Sequence, residues 1–270
     1  MINLLEAFKN ETRFTKKSFG QHFLTNAHIL NEIVSSIEAD KNTNIIEIGP
    51  GCGVLTQLLA ETGANVKAIE IDKELVEFLN RYLFFYNNLE IINDDATMCN
   101  YSSLFNDNEV SFIGNLPYNL SVKIFEKVAL SDCNIKSMVF MYQKEVADRI
   151  NAKPNSKAYS SLSVFSSYLF NIEKIRDIGG GNFWPNANVM STVLKFTPKN
   201  NRQLDKSQEK IFFNFIRQCF NHKRKTLKNN LSNINELDDI LKSNGLMPNI
   251  RAEQLNLENF INLYRDIYVK

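Results

Sequence analysis

The chain has 270 residues, a net charge of +1 at pH 7, and 44% hydrophobic and 23% charged residues, as in an ordinary soluble globular protein. This charge balance gives no global argument for a nucleic-acid partner, so any such argument depends on local basic patches. The four scattered cysteines indicate reduced thiols rather than a disulfide framework or a zinc site, and no segment approaches the roughly 18 apolar residues of a membrane span.

The amino-terminal segment, residues 1–25, is rich in basic and aromatic residues and is predicted to be irregular. Because it carries Glu6 and Glu11 and lacks a long apolar run, we expect no secretory signal and a cytoplasmic location. A helix is predicted for residues 27–39, where apolar side chains recur at helical spacing.

Strands and helices then alternate as far as residue 150. The strands are predicted in a short apolar run that ends at Gly49 and at residues 65–72, 89–96, 109–118 and 137–143, and the helices from Val54 onward and at residues 73–86, 121–130 and 144–150. This alternation predicts an α/β fold with a doubly wound, mostly parallel sheet that is covered by helices on both faces.

The pattern changes after about residue 175. Residues 172–198 are predicted to form two strands around a loop rich in Gly, Asn and Pro, and helices are predicted at residues 208–231, 235–245 and 257–268. The best candidate boundary lies at residues 196–203. We therefore expect an N-terminal domain of residues 1–200 and a small all-helical domain of residues 201–270.

The first candidate site is the glycine loop EIGPGCG, which follows the first strand of the alternating region. Ligands of doubly wound sheets bind outside the carboxyl ends of the strands, and Gly49 and Gly51 let a ligand approach the backbone there. Glu70 ends the next strand, where a carboxylate can accept from both ribose hydroxyls of an adenosine cofactor. Asp95 follows the third strand and can accept from an adenine amino group. A glycine loop alone can be only a tight turn, but the two carboxylates favour a cofactor site.

The second candidate site is the turn Asn115-Leu-Pro-Tyr, which follows the fourth strand. An exocyclic aromatic amine is a poor nucleophile because its lone pair is delocalised, and acceptors aimed at its N–H bonds favour the pyramidal geometry that attack requires. The Asn115 side chain and the Leu116 carbonyl can supply these acceptors. Pro117 stiffens the loop, and Tyr118 offers a ring on which a base can stack. A plain Asn-Pro turn with a packing Tyr is the alternative, and the position at a strand end disfavours it.

These segments together resemble one family, the ribosomal RNA adenine dimethyltransferases, and within it the KsgA type, which acts on small-subunit RNA. The resemblance extends from Phe14 to about Tyr264. Its motifs occur in the family's order, as KKSFGQHFL, EIGPGCGVLT, IEIDKEL, NDDA, GNLPYNLS, QKEVADRI, SKAYSSLSV and FNHKRKTLKNNL.

The resemblance implies a Rossmann-like class I methyltransferase fold, S-adenosylmethionine as methyl donor with S-adenosylhomocysteine as product, and no metal. It implies that His22 and Leu24 lie at the edge of the cofactor site and that Gly49 lies under the methionine part. Glu70 would hold the ribose and Asp95 the adenine. Asn115 would lie between cofactor and target, and Phe183 near the target base.

The implied activity is N6,N6-dimethylation of two adjacent adenosines in a hairpin near the 3′ end of 16S ribosomal RNA during ribosome biogenesis. The implied partner is the assembling small ribosomal subunit, and we expect a monomer. In this interpretation residues 1–200 hold the cofactor and perform catalysis, and residues 201–270 help to bind the RNA.

The sequence departs from the family's pattern at three positions. His22 stands where many members carry Asn, and we expect it to be tolerated because either ring nitrogen can form a hydrogen bond. Ala187 replaces the second Pro of a Phe-x-Pro-x-Pro-x-Val pattern, which puts the rigidity of that loop in doubt. Ser160 stands where Gly is usual.

The third candidate site is a basic segment near the carboxyl terminus. Residues at intervals of three or four are predicted to share one helix face that can contact phosphates, flanked by two lysines: Arg217, Asn221, Arg224 and Lys228, with Lys223 and Lys225. A solvated helix face is the ordinary alternative for such a charge run.

Two other functions are compatible with parts of the sequence. An Erm-type methyltransferase, which modifies one adenosine of large-subunit RNA, shares the cofactor motifs, but the motifs SKAYSSLSV and FNHKRKTLKNNL favour the small-subunit type. A catalytically silent nucleic-acid-binding assembly factor can use the same fold. The intact Glu70, Asp95 and Asn115-Leu-Pro-Tyr turn argue against such a loss of catalysis.

Overall fold

The computed structural model describes residues 3–11, 22–106 and 108–269. The chain forms two compact units, of which one comprises Met1–Ala147 and Glu173–Pro198 and the other Asp148–Ile172 and Lys199–Lys270. The sequence predicted a single division near residue 200. The structure also places residues 148–172 with the carboxyl-terminal helices, and the roles assigned to the two domains stay predictions.

The strands and most of the helices of the alternating region begin and end close to where they were predicted. The strands are β1 (Phe23–Leu24), β2 (Asn44–Ile48), β3 (Asn65–Glu70), β4 (Leu89–Asn93), β5 (Val110–Asn115), β6 (Ile135–Gln143), β7 (Phe170–Ile178), β8 (Phe183–Trp184) and β9 (Ser191–Pro198). The helices up to residue 150 are α1 (Leu4–Glu11), α2 (Ala27–Ser35), α3 (Val54–Glu61), α4 (Lys73–Leu83), α5 (Ser121–Ala129) and α6 (Lys144–Ile150).

Among the described residues, seven strands form one sheet in the order β4-β3-β2-β5-β6-β9-β7. β2 pairs in parallel with both β3 and β5, β3 with β4, and β5 with β6, whereas β9 runs antiparallel to β6. The strand order therefore reverses between β2 and β5, which is the point where doubly wound sheets bind ligands. The prediction of a doubly wound, mostly parallel sheet is confirmed.

The central strands are mostly apolar, as is typical of parallel strands covered by helices on both faces, with Glu47 of β2 and Ser111 of β5 as buried polar exceptions. Ile45 and Ile46 of β2 and Phe112 and Ile113 of β5 are fully buried. The two strands also approach closely at Gly114, where an added Cβ would lie 2.4 Å from the carbonyl oxygen of Ile48. A residue without a side chain is therefore required there.

The amino-terminal segment is not irregular throughout, contrary to the prediction. α1 covers residues 4–11, and its buried Leu4 and Phe8, four residues apart, pack in a hydrophobic cluster of the first unit with Phe23 and residues of α4. Leu24 and Phe183 pair between β1 and β8, which form a separate two-stranded antiparallel sheet. Residues 12–21 of the predicted irregular segment lie outside the described residues.

The second unit contains the helices α7 (Ser161–Leu169), α8 (Lys206–Cys219), α9 (Leu227–Asn230), α10 (Leu237–Ser243) and α11 (Leu257–Tyr268). Aromatic rings form much of its core, as where Phe212 of α8 packs edge-on against Tyr264 of α11, with ring centroids 5.4 Å apart. The sequence predicted one helix over residues 208–231. That prediction is wrong in its second half, because α8 ends at Cys219 and residues 220–226 form turns.

Candidate active site

A cavity of about 270 Å³ lies at the carboxyl ends of β2, β3, β4 and β5, at the point where the strand order reverses. Two predicted site residues, Leu24 and Phe183, do not line it. Those that do are His22, Gly49, Gly51, Glu70, Asp95, Asn115, Leu116, Pro117 and Tyr118. The fold thus brings together five separate segments that the sequence singled out.

The glycine loop passes close to an aromatic ring that covers it. Gly51 has a φ of +58°, and a Cβ at this position would lie 2.6 Å from the Phe23 ring. Gly49 also has a positive φ, of +68°. Both conformations favour glycine, and at Gly51 a side chain would also displace the ring.

Two backbone N–H groups, from separate segments of the chain, hold the Glu70 carboxylate in place. Its Oε1 accepts from the Asp72 N–H at 3.0 Å and its Oε2 from the Gly51 N–H at 3.3 Å. Burial raises the pKa of this carboxyl above its usual value, although the two N–H groups act against the shift. A carboxylate can accept about four hydrogen bonds, so acceptor capacity remains for two hydroxyl groups of a ligand.

Asp95 lies at the other wall of the cavity, directly after β4. Its Oδ1 accepts from the Thr97 N–H at 2.7 Å, and its own N–H donates to the Asp94 carboxylate. The side chain is half-buried. This arrangement leaves acceptor capacity on Asp95 for an amino group in the cavity.

The Asn115 side-chain amide has one defined orientation. Its Nδ2 donates to the backbone carbonyl of His22 at 2.8 Å. Among the described residues the Oδ1 atom accepts no hydrogen bond, so it is available as an acceptor beside the cavity that Asn115 lines. The carbonyl that sets this orientation is 93 residues away in the sequence.

Tyr118 and His22 line the same cavity as Asn115 and lie side by side. Their rings are nearly parallel, with centroids 6.1 Å apart and planes 22° apart. The His22 Nδ1 atom is 2.8 Å from the carbonyl oxygen of Pro185, and the Tyr118 hydroxyl is 2.9 Å from the Ser191 Oγ. Burial raises the pKa of the Tyr118 phenol, so a neutral hydroxyl forms this bond at neutral pH.

Leu24 and Phe183 occupy buried positions beside the cavity. Leu24 lines a second, smaller cavity of about 50 Å³, together with Glu47 of β2. Phe183 is only 2% exposed and belongs to the core of the first unit. In this structure its ring therefore offers no face to a ligand in the larger cavity, and its role near a target base stays a prediction.

Comparisons with known proteins agree with this geometry. The profile of the family "Ribosomal RNA adenine dimethylase" matches residues 13–268. The chain belongs to the ribosomal RNA adenine dimethylase family. This confirms the predicted family and the prediction that the protein is a ribosomal RNA adenine methyltransferase.

Curated relatives in this family match nearly the full chain. The "Ribosomal RNA small subunit methyltransferase A" of Clostridium botulinum is 37% identical over 265 residues, which cover 96% of each chain. The protein of the same name from Streptococcus thermophilus is 38% identical over 261 residues, with 92% and 90% covered.

Two solved structures share the fold. A dimethyladenosine transferase from Plasmodium falciparum has a TM-score of 0.74 and 26% identity, and covers 90% of this chain and 96% of its own. The 23S rRNA methyltransferase ErmE has a TM-score of 0.72 at 21% identity, with 91% and 99% covered. The second likeness concerns the fold alone.

The ribosomal RNA adenine dimethylase family implies S-adenosylmethionine as methyl donor, and the cavity fits this molecule. Glu70 is a buried carboxylate with free acceptor capacity. The backbone at Gly51 is a cradle that a Cβ would fill. Among the described residues no group of three or more His, Cys, Asp or Glu side chains could hold a metal ion, and no helix is long and apolar enough to cross a membrane.

Two departures from the family pattern have a structural explanation. The Ala187 N–H donates to the Gly180 carbonyl at 3.1 Å, a bond that proline could not form, so the loop gains a hydrogen bond where it lacks the second proline. Ser160 is the N-cap of α7, with a φ of −158° that does not require glycine. Its N–H donates to the Ser163 Oγ at 3.0 Å, and serine is a favoured N-cap residue.

The basic segment does not form one helix face, because α8 ends before most of it. Arg217 lies in the last turn of α8, Arg224 in the following turns and Lys228 in α9. All five predicted RNA-binding residues are exposed: Arg217, Lys223, Arg224, Lys225 and Lys228. Lys228 forms an ion pair with Asp238, and the Lys223 Nζ donates to the Lys157 carbonyl. The segment remains a basic surface, but its charged residues lie in α8, in the turns after α8 and in α9.

Proposed function

We propose that this protein dimethylates the N6 atoms of two adjacent adenosines in a hairpin near the 3′ end of the small-subunit ribosomal RNA, with S-adenosylmethionine as donor. The observation that carries the proposal is the Asn115 amide beside Tyr118, which is held by the His22 carbonyl and whose Oδ1 accepts no hydrogen bond from the described residues. The names of relatives at 37% and 38% identity support the choice of the small subunit. The partner is the assembling subunit, and the enzyme acts as a cytoplasmic monomer.

Residues at the carboxyl ends of three strands would hold the cofactor. Glu70 would accept from the ribose hydroxyls and Asp95 from the adenine amino group, and Gly49 and Gly51 would let the molecule approach the backbone. His22 lines the edge of this site, and Leu24 supports it from a buried position in β1 beside the cavity. Bound S-adenosylmethionine supplies an electrophilic methyl group, and every further step depends on how the chain orients the target nitrogen.

Asn115 and Leu116 make the target amine a better nucleophile. The Asn115 Oδ1 and the Leu116 carbonyl would each accept from one N–H of the adenine amine, which favours a pyramidal nitrogen with a localised lone pair. Fixing the reacting atoms in this way supplies much of the rate enhancement. A strong general base is not required, because the proton leaves a nitrogen that has become a cationic ammonium.

The target adenosine leaves its stack before reaction, which costs a few kcal/mol. Stacking on Tyr118 returns about 1–3 kcal/mol, and Pro117 limits the movement of the loop that carries the ring. A contact of Phe183 with the target base, which the resemblance implies, requires its buried ring to become accessible when the base binds. The exposed cations of the second unit, from Arg217 to Lys228, contact RNA phosphates.

The test is a methyl-transfer assay on undermethylated ribosomal subunits. The protein is incubated with labelled S-adenosylmethionine and either small or large subunits, and the modified nucleoside is identified by mass spectrometry. We expect N6,N6-dimethyladenosine in small-subunit RNA alone. Label on the large subunit would indicate the Erm-type activity, and RNA binding without transfer would indicate a catalytically silent assembly factor.

A further inference from the structure

The loop residue Tyr118 is held at the far end of its ring by a residue of strand β9. Its hydroxyl lies 2.9 Å from the Oγ of Ser191, a contact between residues 73 positions apart in the sequence. Ser191 is fully buried and begins β9, where it pairs in register with Gln143 of β6. Its position is therefore set by the sheet and not by the loop that carries Tyr118.

Among the described residues, the Tyr118 side chain has two polar or ring contacts, the His22 ring beside it and the Ser191 hydroxyl at its end, and only the second is a directional bond. The Tyr118 backbone is held by the Ser121 hydroxyl, which donates to the Tyr118 carbonyl, and by the turn that the Leu120 N–H closes onto the Pro117 carbonyl. These contacts hold the main chain only. The hydroxyl bond to Ser191 anchors the side chain at its other end, so the ring cannot swing away from the cavity.

We propose that Ser191 is a positioning residue that fixes the Tyr118 ring for the target base, above all during the second methyl transfer. This inference rests on the proposed function, in which the base stacks on Tyr118. After the first transfer the amine retains one N–H, so it can satisfy only one of the two acceptors at Asn115 and Leu116. The orientation of the monomethylated base then depends more on stacking, and hence on a fixed ring.

The experiment compares Ser191→Ala with a matched control, Thr192→Val. Thr192 is also fully buried, and its hydroxyl donates to the Asp177 carboxylate at 2.6 Å. Because successive side chains of a strand point to opposite faces, it lies on the other face of β9 from Ser191. Each variant thus removes one buried hydroxyl group from neighbouring positions of β9. Only Ser191→Ala removes the hydrogen bond to the Tyr118 hydroxyl.

For Ser191→Ala we expect the turnover number on small subunits to fall about tenfold, with unchanged affinity for S-adenosylhomocysteine. We also expect N6-methyladenosine to accumulate at the expense of the dimethylated product. Thr192→Val should keep the wild-type product ratio even where it lowers the melting temperature. Equal product ratios in the two variants would overturn the inference.

A double-mutant cycle with Tyr118→Phe tests whether Ser191 acts through the tyrosine hydroxyl. Phe keeps the ring and removes the bond, so the double variant should be no slower than either single variant. Losses that simply add would contradict the inference. A wild-type protein that forms no dimethyladenosine would refute the proposed function, whereas an active wild type with a wild-type-like Ser191→Ala would refute only the role of Ser191.

Discussion

At the residue scale, the Glu70 carboxylate combines deep burial with two backbone N–H donors and spare acceptor capacity. Replacing it with glutamine removes the charge that we propose receives the ribose hydroxyls, and hydrogen bonds to charged groups are worth about 1.5–3 kcal/mol. We expect Glu70→Gln to weaken S-adenosylhomocysteine binding about 10- to 100-fold, measured by calorimetry. The exposed Glu77 of α4 provides a control, since Glu77→Gln should bind normally. Equal affinities of both variants and wild type would exclude Glu70 as the ribose ligand.

Glu47 makes the stability of the protein depend on pH. Burial raises the pKa of this carboxyl from 4.5 to about 8, and the nearby charge of Glu70 acts in the same direction. Between these values the unfolded chain is ionised while the folded protein keeps its proton. The folded state therefore binds more protons, and the free energy of unfolding falls as the pH rises, by up to about 1.4 kcal/mol per pH unit.

Glu47→Gln removes this titration. We expect the variant to gain stability over the wild type progressively from pH 5 to pH 8, with the two proteins closest in stability at the acidic end. Urea denaturation at each pH measures the difference, which other titrating groups affect equally in both proteins. Parallel curves for the two proteins would show that the folded carboxyl ionises normally.

At the element scale, α1 supports the glycine loop from outside. Phe8 is 3% exposed and packs edge-on against Phe23 and Phe78, with centroids 5.3 and 5.5 Å away. The Phe23 ring in turn lies against Gly51. The end of α1 is held by Glu11, which accepts from Arg81 and Tyr82 of α4. The helix and the loop should therefore be coupled.

Phe8→Ala should lower the free energy of unfolding by about 3–5 kcal/mol, as is usual for a buried phenylalanine. Because Phe23 loses its support, S-adenosylhomocysteine should also bind more weakly to the folded variant. Asn10→Ala, on the exposed side of α1, should change neither quantity. Normal ligand affinity in a destabilised Phe8→Ala protein would mean that α1 stabilises the fold without supporting the loop.

The alternating strands and helices could be predicted from the sequence because each carries its own periodicity. α7 could not, since its buried residues occupy almost every side and leave no amphipathic stripe. The end of α8 was missed for another reason. The Asn230 Nδ2 donates to the carbonyls of Cys219 and His222, and these bonds support the turns after the helix. The prediction placed Asn230 in the same helix, where its side chain could not reach back to these carbonyls.

The same distinction applies to the candidate site. Glu70, Asp95 and Asn115 could be predicted because parallel strands bring their carboxyl ends to one edge of the sheet. Phe23 and Ser191 were missed because their contacts with Gly51 and Tyr118 join distant segments and leave no local pattern. β1 and β8 are likewise two-residue strands far apart in the chain.

At the scale of the whole molecule, a chain of net charge +1 must bind RNA through local groups of cations. Arg224 and Lys225 are exposed in the turns after α8, whereas Lys228 is paired with Asp238. Replacing Arg224 and Lys225 with alanine should weaken binding to small-subunit RNA and reduce the slope of log affinity against log salt by about 1 per lost phosphate contact. Lys228→Ala should have a smaller effect.

Filter binding over a series of salt concentrations measures these slopes. Lys210 is an exposed cation of α8 outside the basic segment, and Lys210→Ala serves as the control. If the Arg224 and Lys225 variants kept the wild-type slope, the phosphate contacts would lie elsewhere on the protein.

The measurement that tests the central claim most directly is the single-turnover rate of methyl transfer by Asn115→Ala at saturating S-adenosylmethionine and small subunits. If the Asn115 Oδ1 orients the target amine, the rate falls about 100-fold or more while RNA binding is retained. Saturation with donor separates this loss from weaker cofactor binding. A rate close to that of the wild type would contradict the account, because the amine would then be oriented by other groups.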